Sequence, residues 1–328
     1  MKFREFADTQ VKVSEVGLGT WQFGGDWGEM SEDNALRILE TAWDHGVRFY
    51  DTADVYGAGR SETILGKFLA GKELGEAFVA TKLGRFPQPG GAANWTRANF
   101  KAHVEGSLQR LKLEVLDLEQ LHCLPFEVMK KGEVFEWLRE LKREGKIRNF
   151  GASVETVEEG LFCLQQPGLS SLQVILNIFR QKPLEDLLPK CRTRKVAVIA
   201  RLPLASGLLA NKFEKTTVFA PQDHRNYNRD GAAFNVGETF AGIPFEKGVE
   251  LAEKIRPLVP PGMTPAQMAM RWCLDFDAVT TVIPGASKPG QAAVNADASG
   301  ITELQPGTHH KLMEFYKSDV FPNIRGNY

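Results

Sequence analysis

Cysteine is scarce in this chain of 328 residues. The four present, Cys123, Cys163, Cys191 and Cys273, lie far apart with no C-x-x-C pair. A disulfide framework or a zinc knuckle needs closer or repeated spacing, so buried free thiols are expected. Charge of one sign is lacking as well: 40 Lys plus Arg stand against 41 Asp plus Glu, a formal net charge of -1. Such a balance provides no global field to gather nucleic acid or coat an anionic membrane. No run approaches the ~20 apolar residues that span a bilayer. The opening MKFREFADTQ has no apolar stretch for a signal peptidase. A cytoplasmic location is therefore expected, with Asn94-Trp95-Thr96 an accidental sequon. A nucleotide fingerprint is missing too. Gly17, Gly19, Gly24 and Gly25 suggest one, but Gln22 stands where the sixth-position glycine belongs, and no G-K-[ST] follows. What remains is a tight turn exposing Thr20 and Trp21.

Hydrophobic residues make up 43% and charged residues 25%, enough for a sizeable core. With no Pro/Gly/Ser linker, residues 1–328 are expected to form a single domain. Eight short β-branched or aromatic runs recur: 15–18, 47–50, 77–80, 116–118, 147–151, 172–176, 196–200 and 278–283. Amphipathic stretches separate most of them. One starts at Ser31, a good N-cap followed by Glu32 and Asp33, repeats Ala35, Leu36, Ile38, Leu39, Ala42 and Trp43 on one face, and stops at Gly46. Another carries Val134, Trp137, Leu138 and Leu141 and ends in Lys142 and Arg143. A third opens with Thr264-Pro265 and runs through Met268, Met270 and Trp272. Sustained alternation means a parallel sheet covered on both faces, and eight repeats favour a closed (β/α)8 TIM barrel over an open sheet. Residues 211–242 lack the helical pattern and read as a long loop after the seventh strand.

In a barrel, the strand ends converge on one face. Asp51 follows the second run, Lys82 the third and His122 the fourth, with Tyr56 just beyond Asp51. A phenol with a pKa of about 10 is a poor acid near neutrality. A lysine ammonium beside it favours the phenolate, and an aspartate keeps a buried lysine charged. A histidine can orient a carbonyl oxygen. The set suits protonation of an alkoxide as it forms.

These residues sit in a sequence that resembles the aldo-keto reductases over nearly its whole length. The resemblance is carried by Gly17-Leu18-Gly19-Thr20-Trp21, Phe49-Tyr50-Asp51-Thr52-Ala53 and Tyr56-Gly57 with Ser61-Glu62. Thr81-Lys82, Leu121-His122, Gly151-Ala152-Ser153 and Ile283-Pro284-Gly285-Ala286 follow in order. The resemblance implies NADP(H), with NAD(H) as the alternative, bound without a Rossmann fold. It implies Tyr56 as general acid, Lys82 and Asp51 as its tuning pair and His122 as carbonyl orienter. Ser153 and Gln173 would hold the nicotinamide carboxamide. Gly19, Thr20, Trp21 and Asp51 would line the cofactor cleft together with Arg201, Pro203, Leu204, Ser206 and Gly285. Ser287, Lys288, Gln291 and Asn295 would meet the adenosine end. The substrate would be a small carbonyl or alcohol, including sugars, in a pocket formed by Tyr56 and His122 and rimmed by Trp21, the loop Phe86 to Trp95 and the long loop from Asn211.

Three positions depart from the family pattern. Val154 replaces a frequent asparagine, Lys288 is the cation where arginine is frequent nearby, and Arg201 replaces a frequent aromatic. A permanently charged guanidinium there is expected to disfavour the cationic oxidised ring. The alternative function is a cofactor-binding regulatory subunit of a membrane channel with vestigial catalysis. That role would ordinarily bring a docking extension, and the barrel pattern here opens at Glu15 with no basic or apolar tail. A metal-dependent hydrolase would need clustered histidines at strand ends, and of six histidines only His122 is so placed. No metal is expected. The oligomeric state is not readable from this sequence.

Overall fold

The computed structural model describes residues 1–328 apart from Asp26 and Leu74. Eight parallel strands follow one another around a barrel in chain order. They are β1 (Leu18–Gly19), β2 (Phe49–Asp51), β3 (Phe78–Leu83), β4 (Leu116–His122), β5 (Ile147–Ser153), β6 (Leu169–Ile175), β7 (Ala197–Arg201) and β8 (Val279–Val282). The first strand is shorter than its apolar run. Its neighbours crowd it from both sides: a Cβ at Gly17 would lie 2.9 Å from the Phe49 carbonyl oxygen, and one at Gly19 would lie 2.9 Å from that of Ile283. Only glycine admits such an approach. The ring closes there, as Gly17 N–H donates to the Val282 carbonyl at 2.8 Å and Gly19 N–H to that of Pro284 at 3.1 Å. These glycines make a seam in the wall.

Alternation along the strands points Phe49, Phe78, Ala80, Leu118, Ala197, Ile199 and Ile283 into the barrel. A hairpin of Phe3–Glu5 with Lys12–Ser14 closes the end where the strands begin, packing Phe6 against Phe78 with ring centroids 4.6 Å apart. Its strands have three residues each, too few for the alternation in the sequence to reveal them. A second, larger core lies between barrel and helices.

The three expected helices form. Glu32–Asp44 is capped by Ser31, whose hydroxyl accepts from Asn34 N–H, and buries Ala35, Ile38, Leu39 and Ala42. Glu133–Arg143 buries Val134, Phe135, Leu138 and Leu141. Pro265–Leu274 starts from a capping box between Thr264 and Gln267. Each buried Leu or Ile on these faces contributes ~1.5–3 kcal/mol. All four cysteines are free and buried.

Residues 211–242 form an irregular arm with one short helix, His224–Tyr227, and tight turns at Val236–Glu238 and Phe240–Gly242. Its own aromatic cluster packs Phe213, Phe219 and Phe240 against Phe245. Arg325 ties the arm down, donating to Asp230 at 2.6 Å and to the Gly242 carbonyl at 3.0 Å.

Candidate active site

Directly above the apolar filling, the next inward positions of the strands are polar. Asp51 ends β2, Lys82 lies near the end of β3, Gln120 and His122 are on β4, and Gln173 is on β6. Lys82 is fully buried. Its ammonium donates to Asp51 Oδ1 at 2.6 Å, to the Thr52 carbonyl at 2.7 Å and to Tyr56 Oη at 3.3 Å. The other carboxylate oxygen of Asp51 accepts from Gln173 Nε2 at 2.7 Å and Gln120 Nε2 at 3.4 Å. Asp51 therefore has a hydrogen bond to each oxygen, as a buried carboxylate requires. Because Lys82 donates to the phenol oxygen, the Tyr56 hydroxyl keeps its own proton for another acceptor.

Tyr56 reaches this spot through a close backbone contact. A Cβ on Gly24 would fall 2.7 Å from Gly57 N and 2.8 Å from the Tyr56 carbonyl carbon, and Gly57 itself has φ +60°. The two glycines let the turn Trp21–Gly24 press against the tyrosine loop. Trp21 then stacks over the Tyr56 ring at 6.0 Å, and the His122 ring meets its edge at 5.8 Å.

The local electrostatics follow from burial. Desolvation pushes the Tyr56 phenol up to about 12, with Lys82 pulling the other way. Burial alone would lower Lys82, but Asp51 and Tyr56 outweigh it and hold the ammonium above its ordinary value. Burial first, then the charges of Arg85, Lys82 and Arg201, hold His122 well below its ordinary value, so the imidazole is neutral.

A cleft of about 540 Å³ opens over this layer. Tyr56, His122, Asp51, Ser153 and Gln173 line it, as do Gly19 and Trp21. Pro203, Leu204, Ser206, Gly285, Ser287, Gln291 and Asn295 complete that part of the lining the sequence pointed to. Four sequence-derived positions lie elsewhere. Thr20 is fully buried rather than exposed, donating its hydroxyl to the Asp51 carbonyl at 2.9 Å. Lys288 is solvent-exposed ahead of helix Pro289–Asp297 and does not line the cleft. Phe86 and Trp95 are absent from the lining as well. Asn94 and Trp95 donate back to the carbonyls of Phe86 and Gly84 at 2.7 and 3.1 Å, folding their loop on itself, and Phe86 packs on His103.

Arg201 is not a lone cation. It lines the cleft with Glu238 as partner, Nη1 to Oε1 3.3 Å, and its Nη2 donates to the Val154 carbonyl at 3.2 Å. The countercharge removes the physical basis for expecting the guanidinium to disfavour an oxidised ring. Cys123 Sγ and carboxylate oxygens of Glu155 and Glu238 lie within 4.8 Å of one another, but both carboxylates already pair with arginines, Arg85 and Arg201. The long loop from Asn211 does rim the cleft, through Lys212, Phe213, Arg225 and Glu238, although the sequence singled out neither Lys212 nor Glu238, nor Gln120 beneath them. A signal for Glu238 existed: an inward arginine at a strand end needs a carboxylate, and the long arm beyond β7 is where one can come from.

A family model described as Aldo/keto reductase family matches residues 15–317. Aldo-keto reductase YhdN of Bacillus subtilis (strain 168) is 30% identical over 317 residues, 92% of this chain and 90% of its own length. L-galactose dehydrogenase of Arabidopsis thaliana is 30% identical over 220 residues, 65% of this chain and 68% of its own. Among solved structures, the holo form of aldo-keto reductase AKR11C1 from Bacillus halodurans has a TM-score of 0.77 at 27% identity, covering 96% of each chain. Glycerol dehydrogenase AKR11B4 from Gluconobacter oxydans has a TM-score of 0.78 at 30% identity, covering 99% of this chain and 98% of its own.

Proposed function

This chain belongs to the aldo/keto reductase family, and from that premise we propose that it is an NADP(H)-dependent oxidoreductase reducing an aldehyde or ketone to the alcohol. The observation that carries the reading is the hydrogen-bonded series Asp51–Lys82–Tyr56 beside a neutral His122 in one cleft. When bound, the dinucleotide supplies a hydride to the carbonyl carbon. Tyr56 donates its proton to the carbonyl oxygen, and Lys82 stabilises the phenolate left behind. His122 orients that oxygen by donating from its neutral ring. Asp51 keeps Lys82 charged inside the barrel. In the reverse direction the phenolate is the base. A regulatory subunit with vestigial catalysis would have no use for a buried ammonium held against a phenol.

The donor set fits a dinucleotide. The cleft volume lies within the range of ~300–1,000 Å³ usual for such ligands. Helix Pro289–Asp297 has no side-chain cap, and while the Gln291 N–H donates to the Lys288 carbonyl, Gly290 in the cleft lining keeps an N–H to favour a phosphate. Lys212 adds a cation to the lining. Ser153 and Gln173 are the groups to hold a carboxamide. The amide N–H groups of Gln173 are engaged by Asp51 and Gln120, so its carbonyl oxygen is the acceptor to offer. Val154 provides no side-chain hydrogen bond. Oxidation of NADPH by a panel of aldehydes, with NADH run in parallel, tests the reading. Tyr56→Phe should lower turnover by ~10²–10⁴ while dinucleotide binding persists. Equal turnover in wild type and variant would overturn it.

A further inference from the structure

The cleft wall contains an ion pair that proton transfer does not use. Arg201 ends β7, and Glu238 closes the turn Val236–Glu238 in the arm that follows. Each is less than a tenth exposed, and both line the cleft with Tyr56 and His122. The turn is fixed from behind. Ser206 Oγ donates to the Glu238 carbonyl at 3.3 Å, and Asn235 Nδ2 donates to Glu155 at 3.0 Å. The pairing with Arg201 is nevertheless loose at 3.3 Å, and neither Glu238 Oε1 nor Arg201 Nε has a hydrogen-bond partner among the described residues. A desolvated carboxylate with so little hydrogen bonding is expensive, and an apolar pair of similar volume would serve stability as well or better. Its place beside the reacting groups points to a ligand.

We infer that Glu238 is a specificity-determining residue that accepts a hydrogen bond from a hydroxyl next to the reacting carbonyl, so that the substrates are neutral α-hydroxy carbonyls such as small sugars and hydroxyaldehydes. This rests on the carbonyl-reduction reading above. An ionised carboxylate only accepts hydrogen bonds, so it suits an alcohol O–H and repels a substrate carboxylate or phosphate. Arg201 balances the charge of Glu238 and is the positioning residue that holds it, so it does not act as an anion receptor. A hydroxyl-to-carboxylate bond is charge-assisted and short. A site built around one discriminates sharply against an analogue lacking the hydroxyl, because the buried acceptor is then left unpaired.

The test compares lactaldehyde with propionaldehyde, which differ by one hydroxyl, as kcat/KM with NADPH in wild type and in Glu238→Gln. Comparing variants cancels the intrinsic reactivity of the two aldehydes. The lactaldehyde-to-propionaldehyde ratio should fall about ten- to hundredfold, the range for a hydrogen bond to a charged group. Glu238→Gln leaves Arg201 unpaired and could unfold the arm. The double variant Arg201→Met, Glu238→Met removes both charges and should show the same loss with wild-type melting. A second readout is product binding, followed by the fluorescence of Trp21 and Trp27, which line the cleft. Propane-1,2-diol should bind wild type more tightly than 1-propanol, and the difference should vanish in both variants. A ratio and a diol preference that survive in both variants overturn the inference. Failure of wild type to reduce either aldehyde overturns the reductase reading, and the diol comparison still decides the role of Glu238.

Discussion

Replacing Lys82 by methionine would separate the electrostatic role of the ammonium from everything else around Tyr56. The ammonium lies 3.3 Å from the phenol oxygen. At an effective dielectric constant near 20, that contact favours a phenolate by ~5 kcal/mol before other charges are counted. Relaxation of the surroundings reduces what is realised, and losing an opposite charge at this range is worth ~2 kcal/mol in practice. The phenol, already pushed up to about 12 with the lysine in place, would be pushed up further. Reduction still starts from a protonated tyrosine, but the phenolate it generates is less stable, so turnover should fall ~30-fold. Alcohol oxidation needs phenolate at the outset. It should fall by a similar factor, and its increase with pH should move to higher pH. Single-turnover rates in both directions across pH would show this. The variant also leaves Asp51 buried with only amide donors, at a cost of ~3–5 kcal/mol in unfolding free energy. Adding Asp51→Asn should restore most of that stability without restoring the rate. A variant that keeps wild-type rates, or a double variant that recovers them, would refute the tuning argument.

Two further outcomes follow from the same geometry. Because His122 is held neutral, wild-type kcat/KM for reduction should show no inflection between pH 6 and 7, near the ordinary histidine value of about 6.5; an inflection there that disappears in His122→Gln would contradict the assignment. Gly24→Ala would force apart the backbones that seat Tyr56. It should cost ~1–3 kcal/mol in thermal or urea unfolding and lower turnover by more than tenfold through misplacement of the phenol; undiminished turnover would show that the contact does not set the tyrosine.

The barrel was legible because parallel strands buried on both faces leave continuous apolar runs, and the amphipathic helices between them have distinct caps such as Ser31 and Thr264. Asp51, Lys82 and His122 stood out because a polar residue ending such a run faces the barrel mouth. Other features left no periodic trace. The Phe3–Glu5 hairpin strand is too short to alternate. The position of Trp95 depends on a backbone acceptor, Gly84, that propensity does not register. Glu238 meets Arg201 only through a long-range contact made by an irregular arm. The burial of Thr20 reflects its place beside the pairing of Gly19 with Asp51, where its hydroxyl donates to the Asp51 carbonyl. Gly17 and Gly19, two of the glycines that suggested a phosphate loop, mark the seam where the barrel closes.

The apolar filling under the polar layer, with Phe6 inserted from below, makes the barrel a vessel open at one end. Phe49, Leu118 and Ile199 form an apolar floor beneath Asp51 and Lys82, and the buried hydroxyls of Ser171 on β6 and Thr281 on β8 find no hydrogen-bond partner among the described residues through which to pass a proton. A tyrosine that has given up its proton must be recharged through the same doorway by which substrate enters. Product departure and recovery of the acid therefore share one route, and a tightly held alcohol would delay both.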